Sequence, residues 1–529
     1  MSFNLSVLFE AVVDADPDRE VLVVGDRRLT YRALDERANR LANHLADAGI
    51  GPGDHVGLQL TNGSEYVEGM FAAWKLRAVP INVNYRYVEA ELRYLFKDAD
   101  LRALVVHGQF GDRVAPVAAD VEDLDTILIV ADGTPTNLAG IDYERALANA
   151  DPARPDVDGR SSDDLYITYT GGTTGMPKGV VWRHEDIFKA AMGGGDLTQL
   201  GNWVSGPDEL AERLPESGVV GLATPPLMHA SAHWLTCHQL FTGGKVVLVP
   251  QGRFDPAEIW RLVTDEGVFM LIIVGDAMAK PLLDELEANP GDYTTDGLWV
   301  IASGGAILSE AAKGRIRRLL PDRMIVDAFG SSETGVLGNK SGKEGATFQL
   351  NDQTAVVAED GSIVAPGSGL VGRLARRGHV PLRYHKDPEK TARTFVEIDG
   401  ARYVLPGDMA TVESDGTITL LGRGSLCINT GGEKVYPEEV EEPLMGHPDV
   451  EDALIVGVDD ERWGQRVTAV VQPAAGATPD LEEIQGFLRD HVAGYKIPRG
   501  LVVVDRIVRS PAGKADYSWA KEVAAASVG

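Results

Sequence analysis

The sequence predicts an α/β protein in which the strands of parallel sheets alternate with crossover helices. Apolar runs of strand length recur with helical patterns between them, at 55–60, 103–107, 126–130, 245–250, 269–274, 298–303 and 324–329. From Asp399 onward the runs shorten and turn pairs become frequent, which favours a small β-rich subdomain. Beyond Arg423 we expect a compact mixed region. Ligands of open α/β sheets collect at the carboxyl ends of strands, so we expect functional residues where these runs end.

The first strongly patterned helix lies near the N-terminus. Residues 28–49 begin with a strand-like LTY, and Gly49 ends a series of apolar residues spaced by three or four, namely Leu34, Ala38, Leu41 and Leu45. This spacing predicts an amphipathic helix. At about 150 residues per domain, a chain of 529 residues is expected to form three or four structural units.

Charge and composition exclude several classes of function. The formal net charge of -29 argues against binding nucleic acid or an anionic membrane surface through the overall field of the protein. The first twenty residues lack a basic region followed by an apolar core, and no apolar run approaches the ~20 residues that span a bilayer. Cys237 and Cys427 belong to no CxxC or His/Cys cluster. We therefore expect a cytoplasmic protein without an integral membrane segment.

The stretch 169–179, YTGGTTGMPKG, is the first candidate for a phosphate-binding loop. It follows the apolar run 165–168, so a strand would lead to a turn where backbone N–H groups of glycines close on an anion. It is not a Walker A loop, because Lys178 follows proline and precedes glycine. A flexible surface turn is the alternative. The candidate phosphate ligands are Thr170, Gly171, Gly172, Thr173, Thr174, Gly175 and Lys178.

One later apolar run ends in a segment that suits a flat ring, and the run after it ends in a polar segment. The run LWVIA is followed by Ser303, Gly304, Gly305 and Ala306, where glycines would let a ring approach the backbone; a strand-ending turn is the alternative. The next run ends in DAFGSSET at 327–334. From the residues alone, Glu333 in that segment could equally be a solvated carboxylate.

The order of residues in 169–179 resembles the phosphate loop of the adenylate-forming superfamily, which includes acyl-CoA synthetases, luciferases and the adenylation domains of peptide synthetases. Segment 327–334 is similar to the Y-G-x-T-E element of that family. By this resemblance Phe329 stacks on adenine, and Asp327 meets its amino group. Glu333 holds Mg²⁺, and Ser332 stands at the metal site where the family usually has threonine. Gly330 and Ser331 complete this part of the nucleotide site.

Two ribose-binding residues are implied next. Asp408, in YVLPGD, resembles the aspartate that grips both ribose hydroxyls in the family, and a carboxylate can accept from two adjacent hydroxyls. Pro406 replaces the usual threonine of that motif. Arg423, in LGRG, matches the second ribose-binding position. A type I turn at 406–408 and a solvated surface arginine are the alternatives from the residues alone.

The C-terminal motifs and one histidine extend the resemblance. Ser425 stands where relatives carry the Asp or Lys of an interdomain hinge, and Gly431 and Gly432 resemble the loop that admits a thiol. Lys514, in RSPAGK, resembles the lysine that enters the active site for adenylation; a surface lysine is the alternative. His229 occupies the family position between the acid and thiol channels, and a structural histidine is the alternative.

The resemblance implies the adenylate-forming enzyme fold. Residues 1–424 would form a large domain of two α/β subdomains plus the β-rich subdomain, and residues 425–529 a small mobile α+β domain. It also implies an AMP-forming acyl-CoA synthetase that uses ATP, Mg²⁺ and coenzyme A. The implied catalytic residues are Lys514, Glu333, His229 and Thr170.

The substrate remains open at the level of sequence. PINVNYRY at 80–87 and the stretch 170–188 are closest to fatty-acyl-CoA synthetases of the actinobacterial type, some of which activate steroid side-chain acids. We expect the acid pocket to draw on 229–235, the Ser303 loop and 335–338. The alternatives are a ligase that loads a separate carrier protein, and a non-catalytic descendant. The polar segment 193–221 is either a solvated insertion or a lid. Homodimers are common in the family, but the oligomeric state is not readable from the sequence.

Overall fold

The computed structural model describes residues 2–172, 175–197, 201–250, 254–339, 347–349, 352–430, 433–460, 463–510 and 513–527. Thr173, Thr174, Gly431 and Gly432 therefore lie outside the described residues. The chain divides into two compact units. The first consists of Met1–Ile272, Gly291–Trp299 and His379–Ala392, and the second of Ile273–Pro290, Val300–Gly378 and Arg393–Gly529.

The first unit contains a five-stranded parallel sheet. Its strands lie in the order Val79–Asn82, His55–Gln59, Leu101–His107, Thr126–Val130 and Ile141–Asp142. Helices Ser64–Lys75, Glu89–Asp98 and Gly111–Ala118 lie between these strands in the chain, and helix Tyr143–Asn149 follows the last strand. The predicted alternation of strands and helices in this region is confirmed. Its apolar core also takes in Ile167, Tyr169 and Val181 from the hairpin described below.

A second sheet of the first unit is mixed. Its strands lie in the order Met270–Ile273, Val220–Ala223, Lys245–Leu248, Glu20–Val24 and Arg27–Thr30, and only the last pair is antiparallel. The helices in this part are Leu5–Ala15, Tyr31–Asp47, His184–Ala191, Pro207–Glu212, Ala230–Phe241 and Pro256–Glu266. The helix predicted from Leu34, Ala38, Leu41 and Leu45 is Tyr31–Asp47, and all four side chains are buried. Thr30 caps it by accepting from the backbone N–H of Ala33.

A three-stranded antiparallel sheet completes the first unit. Its order is Arg383–Tyr384, Gly175–Arg183 and Leu165–Gly172. The last two strands form a hairpin whose tip is the predicted phosphate loop.

The second unit contains two neighbouring parallel strands, Val300–Gly304 and Met324–Ser331. Strand Gly335–Asn339 pairs with Met324–Ser331 in the antiparallel direction. Helices Gly275–Ala288 and Glu310–Leu319 accompany them. An antiparallel sheet follows in the order Thr347–Gln349, Thr417–Arg423, Asp408–Val412, Gly372–Arg377, Ala401–Val404 and Phe395–Ile398, with Thr354–Val357 paired to Gly372–Arg377. The sequence signal at Asp399 therefore marks only the second half of the β-rich subdomain.

The C-terminal part of the second unit is an α+β arrangement. Its sheet runs in the order Glu433–Val435, Ile428–Thr430, Gly464–Pro473 and Val450–Asp460, and Gly500–Val503 pairs in parallel with Gly464–Pro473. Its helices are Pro437–Leu444, Leu481–Leu488 and Tyr517–Ala526. The proposed boundary between residues 424 and 425 falls in the short turn Gly424–Leu426, and it stays a prediction.

No helix in the described ranges is both long enough and apolar enough to cross a bilayer.

Candidate active site

The predicted phosphate loop is the tip of an antiparallel hairpin. Thr170 lies opposite Lys178, and Gly172 lies opposite Gly175. Lys178 and the Thr170 hydroxyl are thus carried on facing positions of the two strands, which suits an anion site.

Lys178 has a carboxylate partner that the sequence did not indicate. Its ammonium lies 3.2 Å from Asp387 Oδ2. The pKa of Lys178 is raised above its ordinary value, because the effects of Asp387 and Tyr94 outweigh the lowering effect of desolvation. Asp387 also accepts from the backbone N–H of Lys390 at 2.9 Å, which helps to hold its own pKa low. Lys178 is therefore charged and oriented, and a bound phosphate would compete with Asp387 for it.

Two asparagines brace the segment that precedes His229. The Asn82 amide accepts from the Tyr169 N–H at 2.7 Å and donates to the carbonyls of Tyr169 and Met228, both at 2.9 Å. Asn62 donates to the Pro225 carbonyl at 3.2 Å and accepts from the Leu227 N–H at 2.8 Å. These contacts fix the backbone of the hairpin strand and of the turn before helix Ala230–Phe241.

His229 occupies the N-cap position of that helix and is partly buried. Its backbone N–H donates to the Pro226 carbonyl at 3.0 Å. Asn82 belongs to a motif noted in the sequence, whereas Asn62 carried no signal, because an isolated Thr-Asn-Gly is typical of any surface turn.

In the second unit, the two predicted ring-binding segments lie side by side. Strands Val300–Gly304 and Met324–Ser331 are parallel neighbours, with Ser303 opposite Asp327. The Ser303 hydroxyl is buried and accepts from the Gly275 N–H at 2.9 Å. Gly304 is partly buried, Gly305 is exposed and Ala306 is partly buried. The Ser303 side chain therefore serves the fold, and a ligand would meet this segment through its backbone.

Asp327 is buried and forms an ion pair with Lys313, with 2.9 Å between Lys313 Nζ and Asp327 Oδ2. Burial lowers the pKa of Lys313, but the charge of Asp327 and contacts with Glu310 reverse the effect and raise it. Lys313 was not predicted, because nothing in helix Glu310–Leu319 indicates which carboxylate it meets. One carboxylate oxygen of Asp327 is thus engaged by an ammonium.

The rest of this segment is shaped by a close backbone approach at Gly330. A Cβ at this position would overlap the carbonyl oxygen of Gly335 in the neighbouring strand, so only glycine fits. The Ser331 N–H donates to the Thr334 hydroxyl at 2.9 Å. Phe329 is partly buried and packs against the apolar core of the β-rich sheet. Ser332 and Glu333 are partly exposed in the turn that follows.

Four charged residues of the prediction belong to the second unit, and two of them form an ion pair. Asp408 is buried, with its Oδ1 3.2 Å from Arg423 Nε, and the two residues face each other across paired strands. Burial raises the pKa of Asp408; Arg423 opposes this rise, and the charge of Glu333 adds to it. The charges of Arg423 and Glu333 also act on Lys514. Desolvation and then Arg423 lower its pKa, and Glu333 acts in the opposite direction.

Within the second unit, Asp408 and Arg423 are thus an ion pair, and the charges of Arg423 and Glu333 act on Lys514 in opposite directions. Lys514 is exposed to solvent although the surrounding protein desolvates its amine. An anion brought to this group would favour the charged ammonium, because a nearby opposite charge stabilises an ion. The remaining predicted residues, Thr170, Lys178 and His229, belong to the first unit.

The Lys178 hairpin, the adjacent strand ends at Ser303 and Asp327, and the Asp408–Arg423 pair are features that the resemblance to adenylate-forming enzymes predicts. Profiles of the AMP-binding enzyme family and of the AMP-binding enzyme C-terminal domain match residues 9–381 and 439–514. The chain belongs to the AMP-binding enzyme family.

Relatives match along nearly the whole chain. It is 48% identical over 536 residues to 3-oxocholest-4-en-26-oate–CoA ligase of Rhodococcus rhodochrous, covering 99% of this chain and 96% of that protein. It is 47% identical over 535 residues to medium/long-chain-fatty-acid–CoA/3-oxocholest-4-en-26-oate–CoA ligase of Mycobacterium marinum, with the same two coverages. Among solved structures, ATP-bound MatB from Rhodopseudomonas palustris superposes with a TM-score of 0.84 at 25% identity, covering 99% of each chain.

Proposed function

We propose that the chain is an ATP-dependent acyl-CoA synthetase. A carboxylic acid and ATP give acyl-AMP and pyrophosphate; acyl-AMP and coenzyme A then give acyl-CoA and AMP. The observation that carries the first reaction is the Asp408–Arg423 ion pair at 3.2 Å, whose arginine also acts electrostatically on Lys514. The names of the relatives of nearly half identity support coenzyme A as the acceptor.

Charge explains why the first reaction needs these residues. A carboxylate that attacks the α-phosphate of ATP brings two anions together, so the site has to neutralise both as the bond forms. Lys514 would bridge the acid and the α-phosphate. Lys178 and Thr170, with Gly171, Gly172, Thr173, Thr174 and Gly175, would hold the departing pyrophosphate.

The nucleoside would be held by the second unit. Asp408 would accept from both ribose hydroxyls, and Arg423 would orient that carboxylate and add a donor. Phe329 would stack on adenine beside the backbone of 303–306, with Asp327 accepting from the amino group. Gly330 and Ser331 would line the edge of the same site.

The residues also fit a magnesium ion. Glu333, with Ser332, would hold Mg²⁺, which supplies positive charge to phosphate oxygens. Magnesium in such enzymes is commonly held by one or two carboxylates together with water and substrate phosphates. Across the described ranges no group of three or more His, Cys, Asp or Glu side chains could hold a metal.

The second reaction needs a different arrangement. We assign residues 425–529 to a mobile domain that turns near Ser425, withdraws Lys514 and presents the loop of Gly431 and Gly432 to the thiol. His229 would stand between the acid and thiol channels. The hinge, the homodimer and the cytoplasmic location stay predictions.

The acid is proposed to be hydrophobic. The relatives are named for medium- and long-chain fatty acids and for 3-oxocholest-4-en-26-oate, and these two classes are the candidates for this chain. Helix Ala230–Phe241, in which ten consecutive residues from Ala232 to Phe241 are buried, would supply one wall of the acid site.

A pyrophosphate-release screen tests this proposal. A medium-chain acid, a long-chain acid and a sterol side-chain acid are each supplied with ATP, with and without coenzyme A. We expect acid-dependent pyrophosphate release, and AMP release that requires coenzyme A. Transfer to a carrier protein but not to coenzyme A would instead identify a carrier-loading ligase. Absence of both products with every acid would contradict the proposal.

A further inference from the structure

A series of polar contacts in the second unit leads from helix Gly275–Ala288 to the turn that carries Lys514. Its first member is Lys280, whose ammonium donates to the backbone carbonyl of Glu451. The same ammonium lies 3.6 Å from the Glu451 carboxylate and 3.8 Å from Asp276. Asp276 is fixed in turn by the N–H and hydroxyl of Ser309, at 2.8 and 2.7 Å. Lys280 is thereby aimed at one point on strand Val450–Asp460.

That point is a β-bulge. Val450 pairs with Pro473 and Asp452 with Gln472, which leaves Glu451 as the extra residue. A bulge takes its residue out of the regular ladder and redirects neighbouring groups, so the Glu451 carbonyl is available to accept from Lys280. The bulge residue Glu451 thus contacts Lys280, and the next residue, Asp452, makes a second polar contact.

Asp452 grips Arg509 through both oxygens. Arg509 Nε lies 2.7 Å from Oδ2 and Nη2 lies 2.7 Å from Oδ1, and both side chains are 20% exposed. Burial lowers the pKa of Arg509, but Asp452 reverses this effect and raises it. A two-point contact between a planar guanidinium and a carboxylate fixes direction as well as distance.

The third nitrogen of Arg509 reaches the Lys514 turn. Nη1 donates to the carbonyl of Gly513 at 3.1 Å. Two backbone hydrogen bonds close the turn. The Gly513 N–H donates to the Ser510 carbonyl at 2.8 Å, and the Ser510 N–H donates to the Lys514 carbonyl at 2.8 Å. Gly513 has φ of +70°, and a Cβ there would lie 2.8 Å from Val274 Cγ1. The backbone immediately before Lys514 is therefore held from two sides.

We infer that Arg509 and Asp452 are positioning residues that aim Lys514 for the acid-activating reaction, and that Lys280 anchors the same bulge through Glu451. This inference rests on the proposed function. Lys514 is expected to act in adenylation only, so an error in its position should slow that reaction and spare thioester formation.

The full-length protein is compared with Arg509→Met, Arg509→Lys and Asp452→Asn. Pyrophosphate release is measured in a single turnover without coenzyme A, and acyl-CoA formation is measured separately from preformed acyl-AMP. We expect pyrophosphate release to fall ~10- to 100-fold in Arg509→Met, because small displacements of a catalytic group have effects of this size. Acyl-CoA formation should change less than about twofold, which is within the range of an indirect effect.

Two controls accompany these variants. Asp459→Asn makes the same chemical change at an exposed position of the same strand and should leave both reactions at the wild-type rate. Arg509→Lys keeps the charge but loses the planar two-point contact, so its adenylation rate should fall between those of wild type and Arg509→Met. If Arg509→Met does not fold, Lys280→Met is tested in its place. Its adenylation rate should fall about threefold or more, which is the range expected for loss of one partly exposed charge contact.

Equal losses in both reactions at an unchanged melting temperature would overturn the inference, and so would normal adenylation in Arg509→Met. A wild-type protein that performs neither reaction would instead refute the proposed function, and the inference would fall with it.

Discussion

A buried glutamate in the C-terminal part of the chain should make stability depend on pH. Glu441 accepts from the Ile455 N–H and from the Tyr517 hydroxyl, both at 2.8 Å. Burial raises the pKa of Glu441 to about 8, with Glu438 adding to the rise and Arg509 opposing it. The folded state therefore keeps a proton on this carboxyl that the unfolded chain releases near its ordinary pKa.

The sign and size follow from proton linkage. Between the ordinary glutamate pKa and about 8, the folded state binds more protons than the unfolded state, so the free energy of unfolding falls as pH rises. Each tenfold change in the ionisation constant corresponds to about 1.4 kcal/mol. A change from 4.5 to about 8 thus sets a limit of roughly 5 kcal/mol on the stability lost by pH 8.

Glu441→Gln removes the ionisation and keeps the shape. The amide oxygen can accept from Ile455, and the amide nitrogen can donate to the Tyr517 oxygen. We expect the variant to match wild type near pH 5 and to become more stable by about 2–4 kcal/mol near pH 8, a value below the limit because partial water entry relieves the penalty.

Urea unfolding followed across this pH range measures the difference. Glu483→Gln makes the same change at an exposed position of helix Leu481–Leu488 and is the matched control. Its free energy of unfolding should differ from that of wild type by the same amount at every pH. A Glu441→Gln difference that does not vary with pH would refute the reasoning, as would a variant that is less stable at every pH.

Two further predictions concern the proposed nucleotide site. Gly330→Ala should lower stability by about 1–3 kcal/mol, because the added Cβ overlaps the Gly335 carbonyl; an unchanged thermal melting temperature would count against that close approach. Lys178→Met should reduce kcat/KM for ATP by about 10- to 100-fold, the usual effect of one charge-assisted hydrogen bond, with little change in melting temperature. Lys178→Arg should retain more activity than Lys178→Met in the same assay, and equal losses would mean that charge at this position is not what matters.

Local sequence predicted the elements of the fold well where one pattern dominates. The four apolar residues of helix Tyr31–Asp47 share a spacing that only a helix places on one face. Likewise, the runs before Ser303 and Asp327 are neighbouring parallel strands, the first buried and the second partly exposed. Parallel neighbours end at the same sheet edge, which brings the two motifs together. The strands between 347 and 377 were not predicted, because the segment interleaves short runs with Gly, Pro and charged residues.

The partners of the site residues could not be predicted from the sequence. Asp387 lies more than two hundred residues from Lys178, and Arg509 reaches Asp452 across the C-terminal sheet. Such pairs depend on the three-dimensional path of the chain, and either member alone reads as an ordinary surface charge. Lys313 illustrates the same point, since nothing in its local sequence identifies Asp327 as its partner.

The central claim is that Lys514 serves adenylation alone, beside Arg423 and Glu333. Lys514→Ala measured in the two separate half-reactions tests it most directly. The account predicts that acid-dependent pyrophosphate release is abolished, while acyl-CoA still forms from preformed acyl-AMP at close to the wild-type rate. Equal loss of both half-reactions, or undiminished pyrophosphate release, would contradict it.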